Sequence, residues 1–205
     1  MLVLLVFRRV ELMSPQIGMM HKWNTPRAAE LIIREKFTSA GGMPFMAMEL
    51  VESLALRKGG HMLEGISYGG GPAAARLGKS IVDAFPGSLP GQGYGATELS
   101  SACATVVGID FVLRASFFWP PFARTRLMRR AGPTSTGLPC PVNDIKIVDE
   151  NGKTLPARGI GEILVRGANR TNGYWKNKEA TKEVFLADGF YKTCGHFRSR
   201  WRRRS

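Results

Sequence analysis

The stretch GQGYGATELSS, Gly91 to Ser101, decides how the rest of the chain is read. It begins as G-x-G-x-x-A, the loose form of a dinucleotide-binding fingerprint, and a threonine and a glutamate follow at once. A dinucleotide site needs an apolar strand before the glycines and an acidic residue about twenty positions after the unit opens. The preceding AFPGSLP is broken by Pro86 and Pro90, and Asp110, near the required distance, stands in a patternless region. The nicotinamide reading therefore fails. An adenylate reading uses more of the residues. Tyr94 offers a flat face for a purine, Gly93 and Gly95 let the backbone approach it, Thr97 carries a hydroxyl for a phosphate oxygen, and Glu98 is a hard oxygen ligand suited to Mg²⁺. The competing reading is a glycine-rich turn that Thr97 caps before a helix. Both stay open for this stretch taken alone.

Upstream, LEGISYGGGP (Leu63 to Pro72) predicts a buried strand running into a glycine turn, with Pro72 opening a helix whose apolar face is Leu77, Ile81 and Phe85. Strand, glycine turn and helix form a nucleotide-site geometry, because bare amides approach a ligand closely and a helix N-terminus adds positive potential. Further back, Asn24-Thr25-Pro26 supplies a cap and an N-terminal proline for a helix over 26–36. A short strand is expected within Phe37 to Pro44, then a second amphipathic helix carrying Met46, Leu50 and Leu54. The opening MLVLLVFRRVE reads as a strand or ragged start. It is too short to span a bilayer, and its arginines are on the wrong side for a secretory signal. Downstream, DIKIVD and GEILVRG read as strands about a turn at Glu150-Asn151-Gly152-Lys153, and 177–186 as a short helix.

The 205 residues carry 29 basic and 16 acidic side chains, a net charge of +13, which raises nucleic acid or an anionic surface as a partner. That charge is concentrated. RSRWRRRS at 198–205 has five arginines and no acid, and Asp110 to Arg130 has five arginines against one aspartate. Cys103, Cys140 and Cys194 form no C-x-x-C pair, which argues against a zinc site or disulfide framework and makes a reducing compartment the default. Cys103 reads as a small buried residue rather than a nucleophile, and His21, His61 and His196 have no partners at metal-ligand spacing.

YGGGP (Tyr68 to Pro72), GQGYGATE, STGLPCPV, VDENGKTLP, GEILVRG, GYW and DGFYKT, in this order, resemble the AMP-forming synthetase/ligase family that includes acyl-CoA synthetases. The resemblance covers about 19–104 and 133–193. It implies an α/β fold: a partial layered mixed sheet with helices from the large N-terminal domain of an adenylate-forming enzyme, plus a smaller β-rich portion. The corresponding division is an adenylate-binding core over 1–104, an irregular basic insert over 105–132, the β-rich portion over 133–193 and an aberrant basic tail over 194–205.

The activity implied is ATP-dependent adenylation of a carboxylic acid, expected to be a fatty acid, followed by thioester formation with coenzyme A. By position, Gly70, Gly71 and Pro72 would border the adenine, Gln92, Gly93 and Tyr94 would complete that pocket, Thr97 would contact the α-phosphate and Glu98 would bind Mg²⁺. Thr97 and Glu98 are the expected catalytic pair. The family's Ser/Thr/Gly-rich phosphate loop ending in Pro-Lys does not occur in these residues. Thr193 is followed by Cys194-Gly195-His196 where the family has the Gly-Asp of Thr-Gly-Asp, whose aspartate holds the ribose. Asp188 belongs to the preceding Asp-Gly pair and does not take that role. The mobile C-terminal domain with its lysine is missing as well. A fragment of a longer synthetase, catalytically incompetent alone and cytoplasmic or from a peroxisomal parent, is the resulting expectation, with no transmembrane segment and no specific nucleic-acid partner. The rival from another class is a noncatalytic basic module that contacts nucleic acid or anionic surfaces through its arginines.

Overall fold

The computed structural model describes residues 5–8, 16–57, 60–107, 136–156 and 158–198. Helix α1 (Thr25–Arg34) starts where the Asn24 side chain accepts a hydrogen bond from the Arg27 amide at 2.9 Å. Pro26 occupies the first turn, where its missing N–H costs nothing. The helix buries Ala28, Ala29 and Ile32 and leaves Arg27, Glu30 and Arg34 outside as exposed ion pairs that solvent screens. Helix α2 (Pro44–Ala55) buries Met46, Leu50 and Leu54 at the expected spacing. Its exposed Glu49 accepts from the Trp23 indole and the Thr25 hydroxyl, both at 2.6 Å. Those two donors, Thr25 first, hold the Glu49 carboxyl below its ordinary range and tie α2 to the entry of α1.

Seven strands follow the hydrogen-bonded order β2-β1-β3-β4-β5-β6-β7. They are β1 (Leu5–Arg8), β2 (Gln16–Gly18), β3 (Ser39–Gly42), β4 (Gly65–Gly69), β5 (Leu89–Ala96), β6 (Ser101–Val107) and β7 (Leu138–Pro139). β1 runs antiparallel to both neighbours, whereas β3, β4 and β5 are mutually parallel, so the sheet is mixed. α2 connects β3 to β4, and α3 (Leu77–Ala84) connects β4 to β5. Ile32, Leu50, Leu54, Ile66, Leu77 and Ile81 lie in one buried cluster with exposures of 1% or less, each contributing about 1.5–3 kcal/mol by leaving water.

Pro72 does not open α3. The helix begins at Leu77 behind Arg76, which makes no side-chain cap. Pro72, Ala74, Ala75 and Arg76 are exposed, and a turn with no face to bury gains nothing from tertiary packing; Leu77 is the first residue with a full core contact. The stretch GQGYGA is likewise no turn. It lies within β5, and a single 3₁₀ turn (Thr97–Leu99) follows it instead of a helix.

Among the described residues two compact units are distinguished, one within Met1–Tyr94 and Ala104–Leu138, the other within Gly95–Cys103 and Pro139–Ser205. The second holds an antiparallel sheet in the order β10-β9-β8, made of β8 (Asn143–Val148), β9 (Ile160–Gly167) and β10 (Tyr191–Arg198). It also holds α4 (Lys178–Val184), whose cap Asn177 accepts from the Ala180 amide at 3.0 Å. The expected turn is present: Asp149 Oδ1 accepts from the Asn151 and Lys153 amides, and Gly152 has φ +77°. β10 continues past Thr193 as far as Arg198, and β6 extends to Val107. The rest of the basic insert, 108–132, the first residues of the β-rich portion, 133–135, and the tail beyond 198 lie outside the described residues. Among the described residues no helix is long and apolar enough to cross a membrane.

Candidate functional site

In the first unit, β4 and β5 bring two predicted segments to one place. Their parallel register pairs Tyr68 with Gln92 and Gly69 with Gly93, so Gly70-Gly71-Pro72 leave the carboxyl end of β4 beside Gln92, Gly93 and Tyr94. In open α/β sheets ligands bind beyond the carboxyl ends of parallel strands. Gly70 has φ +75°, a conformation that glycine adopts without strain, and a Cβ there would enter open space. Gly69 is constrained differently: its Cβ would stand 2.7 Å from the Gly93 carbonyl oxygen. Gly91, Gly93 and Gly95 recur with period two, so they share one face of β5. A Cβ on Gly91 would stand 2.9 Å from Ser67 Oγ. Gly70 in the GGGP turn thus faces open space, while Gly69 and Gly91 stand where the adjacent strand leaves little room for a side chain.

In the second unit, the 3₁₀ turn Thr97–Leu99 is anchored by fully buried Leu99 and ended by Ser100 in a left-handed conformation, φ +55°. Thr97 is exposed and Glu98 half-buried. The turn is held by the segment after β9. The Thr171 amide donates to the Glu98 carbonyl at 2.7 Å, Ser100 Oγ donates to the Asn169 carbonyl at 2.9 Å, and Asn169 Nδ2 donates to the Leu99 carbonyl at 2.8 Å. Asn143 Nδ2 in turn donates to Asn169 Oδ1 at 2.6 Å. The Tyr174 hydroxyl donates to Glu98 Oε1 at 2.6 Å and keeps that carboxyl below the usual carboxylate range; buried Tyr191 adds to the effect. Burial first, and then the nearby Glu98 charge, raise the Tyr191 phenol well above its ordinary value. Tyr174 and Tyr191 lie in the GYW and DGFYKT motifs, to which the sequence assigns no role at the site, and Asn169 lies in none of the motifs. The signal available was the pair Gly173-Tyr174: a Cβ on Gly173 would stand 2.6 Å from Thr181 Cγ2, so glycine lets this loop close on α4.

Among the described residues no group of three or more His, Cys, Asp and Glu side chains is placed to hold a metal ion. A single ionised carboxylate still fits Mg²⁺ that arrives with a nucleotide, because this cation is commonly held by one or two carboxylates together with substrate phosphates. Asp188 is committed elsewhere: its Oδ2 accepts from Lys146 Nζ at 3.0 Å and its Oδ1 from the Phe190 amide. Cys194 sits at an irregularity of β10 with φ +56°, the left-handed region that favours glycine, and its amide donates to Glu162 Oε1. The backbone thus keeps a glycine-like bend there, and Gly195 follows with no side chain to offer a ribose.

Cys103 is fully buried, and burial pushes its thiol up to about 11. With a chromogenic disulfide reagent at pH 8, exposed Cys194 is expected to react first, half-buried Cys140 more slowly, and Cys103 only after unfolding. Fast modification of Cys103 in the folded chain would contradict its placement. His21 is exposed, and His61 packs edge-on against Phe85 at 4.6 Å.

The chain matches the model of the AMP-binding enzyme family over residues 13–175. It is 34% identical to a long-chain-fatty-acid–CoA ligase of Thermus thermophilus over 80% of this chain and 29% of that protein. Against 4-coumarate–CoA ligase 5 of Oryza sativa subsp. japonica the identity is 28%, over 86% of this chain and 30% of the relative. The solved structure of the amide bond synthetase McbA from Marinactinospora thermotolerans superposes with a TM-score of 0.66 at 26% identity, over 89% of this chain and 35% of that one. The chain therefore spans about three tenths of the length of these two curated relatives.

Proposed function

Because the chain belongs to the AMP-binding enzyme family, we propose that it carries the adenylate-recognition part of an acid–thiol ligase, and that these 205 residues alone bind AMP without completing the ligation. The observation that supports this best is the register of β4 and β5, which sets the GGGP turn beside Gln92-Gly93-Tyr94 at the carboxyl end of a parallel pair. Gly70 and Gly71 present backbone to the adenine, Pro72 borders it, and Tyr94 gives it an aromatic face. Further along the same chain, Thr97 donates its hydroxyl to the α-phosphate and Glu98 supplies the oxygen ligand for Mg²⁺. The cation, when bound, neutralises the phosphate charge that builds as a carboxylate attacks. The acid is a carboxylic acid and the acceptor thiol coenzyme A; the Thermus thermophilus and Oryza sativa relatives are named for a long-chain fatty acid and for 4-coumarate.

Completion fails for want of positively charged and ribose-binding groups. No Ser/Thr/Gly-rich loop ending in Pro-Lys occurs in these residues, and Cys194-Gly195 stands where a Gly-Asp pair would hold the ribose. The test is ligand-observed NMR of AMP with the purified 205-residue chain, run beside ATP–pyrophosphate exchange in the presence of fatty acids. Saturation transfer to the adenine protons is expected, with exchange at background. Absence of transfer overturns the nucleotide reading, and exchange above background overturns the inactivity.

A further inference from the structure

Several separate contacts fix the turn that carries half-buried Glu98. Its carbonyl is capped by the Thr171 amide at 2.7 Å, the next carbonyl by Asn169 Nδ2 at 2.8 Å, and its own Oε1 by the Tyr174 hydroxyl at 2.6 Å. All three donors come from one short segment, 169–174, seventy or more residues away along the chain. That segment is itself pinned. The Tyr174 amide donates to Thr181 Oγ1 at 2.9 Å, Thr181 Oγ1 donates to the Asn177 carbonyl at 2.6 Å, and Gly173 permits the approach to α4. The Tyr174 ring leans on Phe185 at 5.9 Å, and Phe185 on Tyr191 at 5.2 Å. Tyr174 is nevertheless exposed by 37%, so neither its hydroxyl nor its ring is needed to fill a core.

We infer that Tyr174 is a positioning residue that aims the Glu98 carboxylate at the divalent cation of a bound nucleotide, with segment 169–174 acting as its rigid mount. Carboxylate oxygen Oε1 is engaged by the Tyr174 phenol, and Tyr191 on the neighbouring strand also bonds to the carboxylate. A carboxylate on a free rotor would have to lose that freedom when the metal arrives; here the tyrosine has already fixed it. The inference rests on the adenylate reading above and extends it to a residue outside the glycine motifs.

The test uses Tyr174→Phe in the whole 205-residue chain, with Mn²⁺ as the metal probe and ATP as the nucleotide. Bound Mn²⁺·ATP is followed by electron paramagnetic resonance, metal-free AMP by saturation-transfer NMR, and folding by thermal melting. Loss of a hydrogen bond to a metal-binding carboxylate is expected to weaken Mn²⁺·ATP binding roughly tenfold, leaving AMP affinity and the melting midpoint near their starting values. Ser100→Ala, which removes the Ser100 Oγ bond to the Asn169 carbonyl and leaves the phenol in place, should produce the same split to a smaller degree. Equal Mn²⁺·ATP affinity in wild type and Tyr174→Phe overturns the positioning role while leaving the adenylate reading intact. A parallel fall in AMP binding and melting midpoint makes Tyr174 a structural residue and also overturns it. A wild-type chain that binds neither AMP nor Mn²⁺·ATP removes both.

Discussion

Replacing Gly69 by alanine is expected to cut AMP binding by roughly tenfold or more, about 1.4 kcal/mol, and to lower the stability of the first unit by about 1–3 kcal/mol. The new methyl would stand 2.7 Å from the Gly93 carbonyl oxygen and 3.4 Å from its carbon, and backbone cannot rotate away as a side chain can. β4 and β5 must then separate at the point where the GGGP turn meets Gln92-Gly93-Tyr94. Gly91→Ala is the informative control. It lies on the same face of β5, but its methyl meets the Ser67 hydroxyl, a group that can turn aside. AMP titration of both variants separates strand damage in general from damage at this strand end. Unchanged AMP affinity in Gly69→Ala would place the adenine elsewhere.

In the second unit the steepest loss is expected from Gly161→Ala. A Cβ there would overlap the Val148 carbonyl oxygen and stand 2.9 Å from Leu155 Cδ1, at the closed end of the β8–β9 pair. Overpacking of this kind costs about 1–3 kcal/mol, and more where backbone is the obstacle, against a total stability of about 5–15 kcal/mol for a typical domain. Urea unfolding should show a clearly lower midpoint, whereas Gly152→Asn should scarcely move it. Gly152 also has a positive φ, +77°, but its Cβ would meet nothing, and asparagine tolerates the left-handed region. Equal midpoints for Gly161→Ala and wild type would mean that the β8–β9 connection does not approach as described.

Local pattern carried the helices well, because their signals are local. The Asn24 cap with Pro26 marks where α1 starts, and the spacing of Met46, Leu50 and Leu54 reports which side of α2 meets the core. The start of α3 was misread because Pro72 and three alanines favour a helix locally, while the packed face begins only at Leu77. The three glycines of GQGYGA make a glycine-rich turn one of the two readings open to it, whereas their period of two, which puts them on one strand face, fits β5. The glycines of the proposed adenine site carry a local signal because only glycine allows the close approach of Gly69 to Gly93 and the positive φ of Gly70 without strain. The support of Glu98 was not legible, since Asn169 and Tyr174 act only through a fold that carries them back to it.

The second unit is assembled from two separate runs of chain, 95–103 and 139–205, and this affects the order in which its parts can form. The contact between Arg166 and Asp144 closes 22 residues, that between Tyr174 and Glu98 closes 76. The longer closure costs roughly 1 kcal/mol more in chain entropy, and its return comes only once the loop's destination exists. The β8–β9 hairpin can therefore form from its own neighbours and wait. The Thr97-Glu98 turn is expected to become ordered only when a distant run of chain docks against it, which would make the candidate chemical centre a late product of folding rather than its nucleus.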